Sequence, residues 1–180
     1  MVLTRLGGGL LVVGGLIAVG LIAIAVAGGE VGLGGPSATD LLASVSVAAV
    51  GIGGAALSLR GFRMSGPRST NIGLGLAAIG LLGLAVSASA NTGSDTSPLL
   101  WVLLGSIALL IVGLPLTAVA LLLGAARSRL AGFLLATGCA GLLLHIATGS
   151  VLSWALLAGI PLGLVVIGVS ALRVTSGHAD

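Results

Sequence analysis

Few side chains in this sequence can do chemistry, and they do not cluster. His145 is the one plausibly titratable group near the interior of a long apolar run. A proton relay at that depth needs a chain of acids and histidines, and no acid accompanies it. His178 lies in the tail, across the bilayer from His145 on the topology derived below. His145 reads most simply as an interfacial or bundle-facing residue bonded to a carbonyl or to water, and more sharply as a proton or ligand site. Pro115 and Pro161 fall in the middle of apolar segments. Each lacks an N–H, frees the carbonyl four residues earlier and tends to bend its helix. In transporters with broken helices such carbonyls face the solute; elsewhere the bend is structural and neighbouring helices satisfy it. Gly113 and Thr117 flank the first proline, and Gly159 and Gly163 the second. Pro115, Pro161 and His145 are therefore the candidate solute path.

The remaining reactive types carry no constellation. Cys139 is the single cysteine, so neither an internal disulfide nor a metal site built on cysteine pairs is possible. An apolar helix gives its thiol no activation. Ser44, Ser46, Ser106 and Thr137 have the positions of hydroxyls that bond back to their own helix. Gly7-Gly8-Gly9 is not a phosphate loop, because no Gly-Lys follows and the chain contains no lysine. No nucleophile–base pair, paired carboxylates or ligand cluster is visible. The expectation is a protein that is not an enzyme, with no catalytic residue, no cofactor and no metal.

The elements that position these residues follow from composition. Of 180 residues, 57% are hydrophobic and 6% charged, against about 25% charged in a soluble domain. So little polar material cannot cover so much apolar surface, and the bilayer must act as solvent. The net charge of +3 is spread as single arginines or small groups between apolar runs, a topology signal rather than a nucleic-acid surface. The expected fold is an all-α membrane protein: a six-span transmembrane helical bundle of three antiparallel hairpins, one integral membrane domain over 1–180, with spans near 6–27, 41–59, 71–88, 99–124, 130–147 and 151–172. For the first span a cleaved signal peptide is the rival reading, although its apolar run exceeds the about 7–15 residues usual for one.

Arg5, Arg60, Arg63, Arg68, Arg127, Arg129 and Arg173 all fall on one side of such a bundle; Glu30, Asp40 and Asp95 fall on the other. The positive-inside rule then places both termini in the cytoplasm (N-in/C-in). Arginine without lysine, among heavy Gly, Ala, Leu and Val, suggests a prokaryotic plasma membrane. Ser37 and Asp40 suit a helix N-terminus, as does Ser97-Pro98. Arg127-Ser128-Arg129 reads as a very short inner loop. Trp101 and Trp154 at the outer ends, with Phe62 and Phe133 at the inner ends, read as interfacial anchors.

Two echoes suggest a duplication of hairpins. Arg5–Gly14 and Arg129–Gly138 share R-L-small-G-x-L-L-x-x-G, and Trp101–Gly105 resembles Trp154–Ala158. A Leu/Gly/Ala/Val-rich chain also matches itself by chance. Small residues recur at helical spacing: Gly159 and Gly163; Gly73, Ala77, Gly80 and Ser87; Gly132, Ala136 and Ala140. They suit close helix packing, within one chain or in a homo-oligomer. The expected partners are the lipid bilayer and a membrane protein or second copy, with no nucleic acid. The expected function is a non-catalytic accessory or scaffold subunit; the alternative is a small channel or permease for a neutral or apolar solute.

Overall fold

A computed structural model describes residues 2–29, 37–59, 69–89, 98–124, 126–148 and 150–176. Every element among them is helical: α1 Val2–Val26, α2 Ala38–Leu59, α3 Ser69–Ser89, α4 Pro98–Leu122, α5 Ala126–Thr148, α6 Val151–Leu157 and α7 Gly159–Ser176. Six helical segments, the last made of α6 and α7 together, are long and apolar enough to cross a membrane. Their bounds fall within a few residues of those expected. Arg60, Phe62, Arg63, Arg68, Glu30, Asp95 and His178 lie outside the described residues.

Local chemistry sets the ends. Ser37 Oγ accepts from the Asp40 N–H at 3.1 Å, and Asp40 Oδ2 accepts from the Ser37 N–H at 3.4 Å. This is a reciprocal cap on orphan donors at the start of α2. α4 opens on Pro98, which has no N–H to leave unpaired. The segment Arg127–Arg129 is not the expected loop: it forms the first turn of α5. The reason lies in the end of α4, whose last carbonyls need donors. Ser128 Oγ donates to Leu121 O at 3.1 Å, and Arg129 Nε to Gly124 O at 3.2 Å.

The sixth span is also divided where one helix was expected. Pro161 cannot donate to the carbonyl of Leu157, and the helix breaks at Ala158. Helical bonding resumes with Leu162 N–H to Ala158 O at 3.2 Å. By contrast α4 runs unbroken through Pro115.

The helices close into a ring. α1 packs on α2, α2 on α3, α3 on α4, α4 on α5, α5 on α6 and α7, and α7 back on α1. Neighbours run in opposite directions, because the start of each meets the end of the next. A Cβ on Gly7 would lie 3.0 Å from Gly53 O, and one on Gly14 3.0 Å from Ser46 O. Arg5, Arg129 and Arg173 consequently lie at one end of the ring, and Asp40 at the other.

The seams repeat three times. A Cβ on Gly53 would meet Gly7 O and Leu11; on Gly113, Gly73 O and Ala77; on Gly163, Ala131 O and Leu135. Leu11, Ala77 and Leu135 are all fully buried or nearly so. The other seam agrees: Gly8 approaches Gly168 O and Leu172, while Gly132 approaches Ala118 O and Leu122. α1, α3 and α5 thus occupy one place in three helix pairs, and α2, α4 and α6/α7 the other. The echo between Arg5–Gly14 and Arg129–Gly138 falls in this register. The tryptophan echo does not: Gly80 meets Leu110 and Gly138 meets Ile160, which aligns Trp154 with Leu104 rather than Trp101.

The glycine pair around Pro161 serves these internal seams. Gly159 approaches Gly138 and Gly163 approaches Leu135, both on α5. In α3, Gly73 and Gly80 approach α4. Outward faces carry large apolar side chains instead, among them Leu16, Ile52, Ile79, Val112 and Leu143. A perimeter of this kind is far larger than the apolar patches soluble monomers expose.

Candidate functional site

Leu11, Leu57, Leu121, Leu135, Ile167 and Thr117 are essentially inaccessible, and they fill the half of the ring nearer the arginines. The opposite half is less full. It holds a partly open cavity of about 490 Å³, lined by five of the six spans. α1 contributes Ala18, Leu21 and Ile22; α2 contributes Ala43, Ser46, Val47 and Val50. Leu81, Leu114, Ile160, Pro161 and Leu164 complete the deeper wall, with Trp154 and Leu157 from α6. Val50, Leu114 and Leu164 also belong to the packed core, so the cavity ends on that core.

The wall is chemically plain. It contains no charged residue. Its one hydroxyl, on Ser46, donates to Gly14 O at 2.7 Å and is thereby satisfied. A polar solute entering here would lose its water and find few partners, a penalty of about 1–3 kcal/mol per unpaired group. An apolar solute meets no such penalty.

The three residues singled out from sequence separate. Pro161 is buried and lines the cavity. Pro115 is exposed on the outward face of α4, and its neighbour Leu114 takes the inward position. His145 stands near the end of α5, half-buried. Its Nδ1 lies 2.9 Å from Ser153 Oγ, and its ring meets that of Trp154 edge-on at 4.6 Å between centroids. Ser153 is itself buried and donates its hydroxyl to Ser150 O. Its oxygen is thus left to accept from His145 Nδ1–H, which makes the ring nitrogen Nδ1 the donor.

Trp154 is the residue that sequence reasoning placed differently. Trp101 is exposed, as an interfacial anchor would be, whereas Trp154 is turned into the ring between His145 and the cavity. The signal available in the sequence was Ser153, adjacent to Trp154 and one short turn from His145. Of the four hydroxyls expected to bond back to their own helix, Ser44 does so to Asp40 O, Ser106 to Val102 O and Thr137 to Phe133 O, whereas Ser46 crosses to Gly14 O on α1. Among the described residues no group of three His, Cys, Asp or Glu side chains comes together.

The chain matches no protein-family model, no curated protein and no solved structure. Its own residues define a helical protein with six segments able to cross a membrane and an apolar cavity inside their ring.

Proposed function

We propose that this is a multi-pass membrane protein that takes a neutral, apolar solute into the cavity of its ring, without catalysing a reaction. The observation that carries the reading is the wall of that cavity: uncharged, almost wholly apolar, and reached by Pro161 at the break between α6 and α7. The three helix pairs act as three antiparallel transmembrane hairpins. The arginine end and both termini face the cytoplasm of the cell, and the cavity faces the outer half of the plasma membrane. A carrier of this kind needs no coupling ion, consistent with a cavity wall that carries no acid.

The test is flux into proteoliposomes with neutral solutes of graded polarity. The protein should raise the permeability to the more apolar solutes above a protein-free control. Pro161→Ala should alter that rate and Pro115→Ala should leave it unchanged. Permeability equal to the control across the series contradicts the reading.

A second reading, an accessory or scaffold subunit, is favoured by the outward faces of the ring, whose large apolar side chains offer partner helices a surface. Recovery of a stoichiometric membrane partner in mild detergent would support it. A homogeneous lone monomer would count against it.

A further inference from the structure

We infer that the cavity is a binding site for one extended hydrocarbon chain, supplied by a bilayer lipid or a free fatty acid. The inference rests on the reading above and narrows its solute class. The origin of the cavity carries it. The threefold register pairs Ala18 of α1 with Leu84 of α3 and Leu142 of α5, and Ala43 of α2 with Leu103 of α4 and Ser153 of α6. Ala18 and Ala43 both line the cavity. The empty volume therefore arises where one helix pair carries two alanines and three of the four counterpart positions carry leucine. It is a local departure from the repeat at Ala18 and Ala43.

The rest of the wall selects the occupant. Leu21, Val47, Val50, Leu81, Leu114 and Leu164 present aliphatic side chains. The nearest hydroxyl is held by Gly14 O and offers no donor. About 490 Å³ lies within the roughly 300–1,000 Å³ typical of ligand pockets, and dispersion and desolvation are the only substantial attractions it provides. A head group, sugar or amide would find few partners there. A methylene chain needs none. The depth, from Ala18 and Ala43 on one side to Leu114 and Leu164 at the core, lies along the helix axes and so parallel to the chains of a surrounding bilayer.

The test uses Trp154, which lies on the cavity wall, as reporter in a Trp101→Phe background. Spin-labelled stearic acid is titrated into protein in detergent; in a second arm, phosphatidylcholine spin-labelled on one acyl chain is incorporated in nanodiscs. Quenching of Trp154 should saturate in at least one arm, and the arm that saturates identifies the source of the chain. Ala18→Leu with Ala43→Leu gives the first pair the two leucines that α3 and α4 carry, so the variant should melt at or above the parent temperature. It should weaken the saturable quenching about tenfold or more, the loss expected from removing room for two or more methylenes. Ala18→Leu alone should fall between the two. Glycerol should not compete. Equal saturable quenching in parent and filled variants would overturn the inference, as would its absence from both arms. If compact neutral solutes bind in a cavity-dependent way and chains do not, the chain fails while the solute reading stands. If filling changes nothing for any solute, both fail.

Discussion

Gly138 and Gly159 cross so closely that a Cβ on Gly159 would lie 2.8 Å from the backbone nitrogen of Gly138. Two helices meet there backbone to backbone, at the point where the sixth span breaks. In a bilayer, lipid would supply no hydrophobic force between helices, and such seams would hold by dispersion and close approach. Gly159→Val should therefore cost about 1–3 kcal/mol by overpacking, read as a lower melting temperature in detergent. Gly20 sits on an exposed face, where an added Cβ would meet nothing within 4 Å. Gly20→Ala should be neutral or stabilising by up to about 1 kcal/mol. The opposite order of the two variants would contradict the seam.

The bond between His145 and Ser153 fixes the indole beside it. Ser153→Ala removes the acceptor, at a cost of about 0.5–1.5 kcal/mol. Fluorescence anisotropy of Trp154 should drop, because its neighbour loses its anchor. Thermal melting together with anisotropy in the Trp101→Phe protein checks both. Unchanged anisotropy would show that the histidine does not hold the indole.

Pro161→Ala supplies the N–H that proline cannot offer to Leu157 O. The expected outcome is a continuous sixth span, with slow hydrogen exchange at the new amide and a shift in Trp154 emission. Pro115→Ala should leave Trp154 unaffected, since Pro115 faces outward. A shift from Pro115→Ala and none from Pro161→Ala would reverse the assignment.

Much of the fold was legible because helices long and apolar enough to cross a membrane follow simple rules. Runs of about 20 apolar residues between polar turns locate the spans, and Ser37 with Asp40 marks a helix start. The echo from Arg5 to Gly14 was legible too, since its glycines are seam positions. Closure of the ring was not, because contact between α1 and α7 is a property of all six helices at once. Arg127–Arg129 looked like a loop because polarity alone cannot distinguish a turn from a capped first helical turn. The cavity was hidden for another reason. An alanine in an alanine-rich chain carries no signal until the leucines at the same place in the other pairs, Leu84 and Leu142, are aligned with it.

Orientation in the bilayer underlies the whole account, and cysteine labelling in intact cells tests it most directly. In a Cys139→Ala background, Thr39→Cys and Thr148→Cys lie at the end of the ring opposite the arginines, while Thr4→Cys and Thr175→Cys lie at the arginine end. A membrane-impermeant maleimide should label the first pair in whole cells and the second pair only after permeabilisation. Labelling of Thr4→Cys or Thr175→Cys in sealed cells, or labelling of all four alike, would contradict it.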